Sequence, residues 1–302
     1  MCSRWYNVAV ILLWLSAMGW LVVDKVLPPL CIGEPPSYRE ILDAQQQEPA
    51  VGWEMFFDGR PLGWARSSLS RLDDGTTEIH SRVHFNELPL QQLAPAWLRA
   101  LIDQPDAPLE MDAENTMTVD PLGRLSSFRS FLRLDPLEDA IKLQGIIDGN
   151  QLKLSVSLGG PPYPTKVYLP ADALLGDALS PQTQLPGLHA GQTWTVPVYS
   201  PLRPPNRPLE ILQATVEGSE LIQWNDGREP AWLVVYRSDR GFGLGSDSTP
   251  RGRLWVRHDG TVLKQQVMLF NSTLTFVRLP NQQAEAPAED VDDPRETKAA
   301  GG

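Results

Sequence analysis

Apolar and polar residues alternate at every second position over much of the chain. In QLKLSVSL, residues 151–158, four aliphatic side chains alternate with lysine and serine, and TEIHSRVHF, residues 77–85, follows the same rule. Because successive side chains of a β-strand point to opposite faces, this period predicts strands with one buried and one wet face.

Turn residues separate these stretches. LWVRHDGTVLKQQVML, residues 254–269, has the pattern of a strand, an Asp-Gly turn and a second strand, and residues 117–130 are a looser version. Parallel neighbours need long crossovers, so strands joined by short turns pair antiparallel. Further strand or hairpin segments are predicted at 51–72 (turn at Asp58-Gly59), 210–224, 231–239, 253–260, 261–269 and 272–279. The prediction is a mainly β fold, with large curved antiparallel sheets forming a sandwich or half-barrel and a few short helices.

Helix signals are few. Ser37 and Glu40 fit a capping box that starts a helix at 38–47, and short helices are predicted at 95–102 and 171–175. The proline-rich stretch 161–208 is predicted to cross the surface between two β halves, at about 49–160 and 190–280.

An almost unbroken apolar run occupies residues 5–23. A helix of about 20 apolar residues crosses a hydrocarbon core, so the run predicts a transmembrane anchor, after a cytoplasmic tail at 1–4. Paired prolines in 24–36 predict an extended stalk, before a β-rich domain at 37–280. A cleaved signal peptide and a lipoprotein acylated at Cys31 are the alternatives, and both lack a good small-residue cleavage site.

The distribution of charged residues predicts the orientation of the protein in the membrane. Arg4 and Lys25 nearly balance across the apolar run, and the short N-terminal tail favours a cytoplasmic N-terminus. The body would then face the periplasmic side of the inner membrane, as a single-pass protein. The net charge of −11 argues against nucleic acid and against electrostatic docking onto anionic headgroups. The acidic, proline-broken tail at 281–302 is predicted to be disordered.

No candidate for catalysis, cofactor binding or metal binding stands out. His80 and His84 share a strand face but lie roughly 13 Å apart at ~3.3 Å per residue, too far for one metal ion. Cys31 lies in the stalk, and the glycines of 240–253 lack the G-x-G-x-x-G spacing of a phosphate loop. Asp135, Glu138 and Asp139 are expected to decorate a turn followed by a helical start, as ordinary solvated carboxylates.

Aromatic residues on or beside the predicted strands are compatible with one class of ligand, a lipid-like molecule. Most are expected in the core, although a strongly curved sheet could use some to line an apolar groove for a lipid-like ligand. The residues concerned are Trp53, Phe56, Phe57, Trp64, Trp194, Trp232, Phe242 and Trp255.

Five motifs follow one another in a familiar order, namely FDGRPLGWA (57–65), VDPLGRL (119–125), GIIDGNQL (145–152), LHAGQTW (188–194) and LWVRHDGTVLKQ (254–265). The chain thereby resembles the β-rich envelope domain that stands before transglutaminase-like domains in bacteria, and more loosely the DUF3108-type periplasmic β domain. The resemblance implies that the catalytic Cys-His-Asp belongs to another domain, absent here.

The sequence therefore predicts a non-enzymatic binding or assembly module of the cell envelope. Its expected partners are membrane lipid, through the N-terminal helix, and an envelope protein or lipid-like ligand. A lipid-handling carrier, and a hydrolase or transferase with a site assembled from distant residues, are the alternatives.

Overall fold

The protein is mainly β, as predicted. The computed structural model describes residues 2–22, 38–45, 50–88, 109–121, 124–135, 137–149, 151–158, 160–168, 174–175, 181–199, 209–238, 250–269 and 272–280. Two helices precede the strands, α1 (Cys2–Leu21) and α2 (Tyr38–Gln45). The strands are β1 (Ala50–Phe57), β2 (Arg60–Arg71), β3 (Thr77–Leu88), β4 (Leu109–Val119), β5 (Leu125–Asp135), β6 (Leu137–Asp148), β7 (Gln151–Leu158), β8 (Tyr163–Tyr168), β9 (Leu174–Leu175), β10 (Thr193–Tyr199), β11 (Leu209–Trp224), β12 (Gly227–Ser238), β13 (Gly252–Arg257), β14 (Val262–Leu269) and β15 (Ser272–Arg278).

These strands form one 15-stranded sheet in the order β8-β7-β6-β5-β4-β3-β2-β1-β15-β14-β13-β12-β11-β10-β9. Neighbours pair antiparallel, except that the two-residue β9 runs parallel to β10. The two predicted β halves are thus joined through β1 and β15, where Met55 lies opposite Phe276. Asp58 and Gly59 have φ of 46° and 82°, as a two-residue hairpin turn requires, so the predicted Asp-Gly turn is confirmed.

The N-terminal helix is shorter in its apolar part than expected. Among the described residues, no helix combines the length and apolarity needed to cross a membrane. Arg4 and Asn7 fall in the first turns of α1, and its last residue is Leu21. The transmembrane helix predicted at 5–23 is therefore not confirmed.

Two of the predicted helical segments are wrong. Leu174 and Leu175 form β9, paired with Val198 and Tyr199, where a helix over 171–175 was expected. The helical start expected around Glu138 and Asp139 is part of β6, because the alternating pattern of the following residues extends the strand back to Leu137. The helix predicted at 38–47 is confirmed as α2. The predictions for 24–36, 95–102, 240–249 and 281–302 lie outside the described residues.

The stretch 161–208 does not simply cross the surface. It contains β8, β9 and β10, and residues 181–192, which we call the crossing segment, pack onto the core. Thr183, Gln184 and Leu185 are buried. The N–H of Leu185 donates to the Gly260 carbonyl at 2.7 Å, and the N–H of Val262 donates to the Thr183 carbonyl at 3.1 Å. These hydrogen bonds satisfy the buried backbone and hold the segment against β14.

The core has two parts. The main cluster fills the buried face of the sheet around Trp53, Phe85 and Phe276, and a smaller cluster gathers Phe128, Leu152 and Leu154. Between them, the buried side chains of Ser67, Ser81 and Asn115 stand directly opposite one another on β2, β3 and β4. A row of small polar residues thus crosses the apolar interior and divides its packing.

Candidate functional site

The outward face of β2, β3 and β4 holds the richest set of chemically active side chains in the described part of the chain. Every second residue of a strand points outward, so the antiparallel register aligns the outward side chains of β2, β3 and β4 in three rows across the strands. The rows are Trp64–His84–Asp112, Arg66–Arg82–Glu114 and Ser68–His80–Thr116. We call these nine residues the outward polar patch.

In the first row, the His84 ring stacks on Trp64 and is hydrogen-bonded to Asp112. The indole of Trp64 and the imidazole of His84 lie with ring centroids 5.8 Å apart and 28° between their planes. His84 Nδ1 is 3.0 Å from Asp112 Oδ1, which orients the ring and favours the tautomer with hydrogen on Nδ1. This pair could hold a proton, but no serine or cysteine of the described residues is hydrogen-bonded to His84.

Two arginines define the second row. Arg66 and Arg82 face each other directly on neighbouring strands, which costs free energy when like charges are unscreened. Arg82 lies 3.9 Å from Glu114 and 5.9 Å from the centre of the Trp64 ring. Both partners of this ion pair are about half exposed, so it contributes little to stability.

The third row and the second row together line an open depression of about 200 Å³. His80 Nδ1 lies 3.3 Å from Thr116 Oγ1, and its Nε2 lies 3.4 Å from Glu78. The two guanidinium groups and His80 could together contact a small anion from the solvent side. The depression is too open to exclude water from a reacting group.

The site residues weighed from sequence are placed as follows. His80 and His84 share the outward face, as predicted, and each contacts residues of its own row. The described residues contain no group of three or more His, Cys, Asp or Glu side chains that could hold a metal ion. Cys31 and the glycines of 240–249 lie outside the described residues. Sequence reasoning missed Arg66 and Arg82 because their alignment depends on the register between β2 and β3.

The aromatic residues are mostly in the core, as expected. Trp53 and Trp194 are buried in the main cluster, and Trp232 packs against it. Trp64 belongs to the outward polar patch instead, and Phe56 and Trp255 lie outside both core clusters.

Comparisons with known proteins give no family. No family model matches the chain, and no curated protein matches it. Among solved structures, a β-barrel-like DUF1849 protein from Brucella abortus has a TM-score of 0.45 at 8% identity, covering 76% of this chain and 94% of that one. A DUF1089 family protein from Pseudomonas aeruginosa has a TM-score of 0.34 at 16% identity, covering 66% of this chain and 87% of that one. Both TM-scores are below 0.5, and the resemblance to the DUF3108-type domain stays a prediction.

Proposed function

We propose that the protein is a membrane-attached, non-catalytic binding or assembly module of the cell envelope. The observation that carries this proposal is the surface of α1. Its large apolar side chains are exposed from Val10 to Val22, with Leu13 72% and Trp20 74% accessible. So large an apolar surface is not left in water by a stable protein.

The distribution of apolar side chains around α1 fits a lipid environment better than packing against a protein surface. A helix that packs on a protein surface is apolar on one side, whereas one surrounded by lipid is apolar all round. Ile11, Leu12 and Leu13 are successive residues, so they point in different directions from the helix axis, and all three are exposed. An extracytoplasmic position of the body is part of the same proposal.

The proposal of a non-catalytic role rests on the outward polar patch. Catalysis of acyl or glycosyl transfer relies on preorganised groups in a site that excludes water. The patch is open instead, and the ring of His84 is occupied by Trp64 on one side and Asp112 at Nδ1. These groups suit recognition of a polar partner better than proton transfer.

Flotation with neutral phosphatidylcholine vesicles tests the attachment. The full chain should float with the vesicles, and the variant Leu12→Lys/Leu13→Lys/Leu15→Lys should stay at the bottom of the gradient. The matched control Leu72→Lys/Ile211→Lys/Leu221→Lys changes three exposed apolar residues outside α1 and should float like the parent. Equal flotation of all three proteins would contradict the role of α1.

A fluorophosphonate probe tests the non-catalytic role. We expect no covalent labelling that depends on His84. Labelling of the full chain that disappears in His84→Ala, with the fold intact by circular dichroism, would establish the hydrolase alternative instead.

A further inference from the structure

The outward face of β5–β8 is basic in a chain whose net charge is −11. Its exposed cations are Arg129, Arg133, Lys142, Lys153 and Lys166, which we call the basic face. They come from four neighbouring strands. The alternation of each strand and the register between strands bring them to one side of the sheet.

Most of these cations have no ion pair with an acid in the described part of the chain. Lys153 pairs with Asp148 at 2.7 Å, and no ion pair links the other four to a described residue. Lys153 also stands directly opposite Lys166, a like-charge pairing that costs free energy in a sheet. Asp112 of β4 stands directly opposite Arg133, and three further acids, Asp135, Glu138 and Asp139, belong to the β5–β6 hairpin end. The positive charge of the face therefore lies mainly at Arg129, Lys142 and Lys166, none of which stands directly opposite an acid in the sheet.

Exposed apolar side chains lie among the cations. The ring of Phe131 has the guanidinium of Arg133 at 5.1 Å and the ammonium of Lys142 at 5.3 Å from its centre. Ile146 is 60% exposed beside Lys153, and Tyr168 at the sheet edge is 62% exposed. Cations combined with exposed aromatic and aliphatic groups are the composition of surfaces that lie on headgroups.

We propose that the basic face binds the anionic headgroups of the membrane to which α1 attaches the protein. The inference rests on the proposed function, because α1 supplies the proximity. Residues 23–37 span at most about 50 Å when fully extended, so the sheet can reach the bilayer on which α1 sits. The overall negative charge would repel an anionic surface, and only a local cluster of cations can reverse that within a Debye length of roughly 8 Å.

Vesicle binding of the full chain at physiological salt separates the two proposals. Vesicles of phosphatidylcholine alone report on α1, and vesicles with 30 mol% phosphatidylglycerol report on both. Each basic residue near an anionic surface changes binding by about fivefold. The variant Arg129→Gln/Lys142→Gln/Lys166→Gln should therefore bind anionic vesicles about 100-fold more weakly than the parent, with unchanged binding to neutral vesicles.

The matched control removes the same total charge elsewhere. Arg60, Arg228 and Arg253 are exposed and outside the basic face, so Arg60→Gln/Arg228→Gln/Arg253→Gln should bind both vesicle types like the parent. Salt of 1 M should abolish the preference for anionic vesicles. Equal losses in the two variants, or no preference of the parent for anionic vesicles, would overturn the basic face while leaving α1 intact. If the parent protein does not bind neutral vesicles but still binds anionic ones, membrane attachment by α1 is contradicted and the basic face is not.

Discussion

At the scale of single residues, Arg278 shows how a buried charge can organise a fold. Its side chain is 2% exposed, and its Nη1 donates to the Thr183 carbonyl at 3.1 Å. The guanidinium lies 6.0 Å from the centre of the Trp53 ring, and the backbone carbonyl of Arg278 accepts from Trp224 Nε1 at 2.8 Å. One residue of β15 thus contacts the crossing segment, β1 and the end of β11.

Replacing Arg278 by methionine should lower the free energy of unfolding by about 1–3 kcal/mol, because a buried hydrogen bond from a charged donor is lost. Urea denaturation measures the change. The control Arg253→Met lies on an exposed position of β13 and should change stability by less than about 0.5 kcal/mol. Equal effects of the two variants would show that Arg278 does not hold the crossing segment.

Asp259 in the β13–β14 turn should make stability depend on pH. Partial burial raises its pKa, but hydrogen bonds from Arg257 and from Thr261 outweigh that effect and hold the pKa at about 2. Since this value is below that of an unfolded aspartate, near 3.9, the carboxylate stabilises the fold above pH ~4 and loses that effect between pH ~4 and ~2. The side chain is half exposed, so solvent screening limits the contribution to below roughly 1 kcal/mol.

Chemical denaturation of Asp259→Asn against the parent checks this dependence. The variant should be slightly less stable at pH 7, and the difference should vanish by pH 2. A difference that stays constant from pH 7 to pH 2 would attribute the effect to packing and not to the charge of the carboxylate.

At the scale of elements, the crossing segment behaves as part of the core although it contains no long strand. Leu185 is 3% exposed within the main cluster, and Gln182 N–H donates to the side-chain oxygen of Gln265 on β14 at 2.9 Å. An isolated antiparallel bridge between Gln184 and Thr261, together with hydrogen bonds from side chains, takes the place of a strand ladder here. These bonds provide partners for polar groups that burial of an irregular stretch removes from water.

Truncation of Leu185 to alanine should therefore cost about 2–4 kcal/mol of stability, because it leaves a cavity in the main cluster. The control Leu221→Ala removes the same atoms from a side chain that is 67% exposed on β11, and should be close to neutral. Thermal or urea unfolding measures both. A neutral Leu185→Ala would restore the sequence-based view that this stretch crosses the surface.

At the scale of the whole molecule, one sheet carries two unequal cores. The main cluster draws residues from strands on both sides of β1, whereas the smaller cluster depends on Phe128, Leu152 and Leu154. The polar row of Ser67, Ser81 and Asn115 separates them, and the buried Oγ of Ser81 has no hydrogen bond to a described residue. The β6–β8 end thus has less apolar burial to hold it.

Native-state hydrogen exchange should reveal this inequality. Amides of β7 should exchange through a partial opening with a lower free energy and a weaker urea dependence than amides of β13 and β15. Exchange of all three strands in a single global step would show instead that the sheet unfolds as one unit.

Much of the fold could be predicted from local sequence. Alternation and Asp-Gly turns predicted the hairpins β1–β2 and β13–β14, because the side-chain period and the turn geometry are properties of adjacent residues. The helices predicted at residues 174–175 and 138–139 are strands in the structure. Short segments without a clear side-chain period take the conformation that their neighbours in the sheet impose, and those neighbours are not visible in the local sequence. The outward polar patch and the basic face could not be predicted, since each is built from single cations or polar groups on several strands.

The sequence by itself determined that this chain is a mainly β protein with an apolar N-terminal helix, since period and hydropathy are written in neighbouring residues. Only the tertiary structure decided which strands are neighbours, that β1 and β15 close two halves into one sheet, and that residues 181–192 are buried. It also decided where the charge lies. Net charge is a sum over the sequence, but an electrostatic surface depends on register, and register is fixed only when the strands pair.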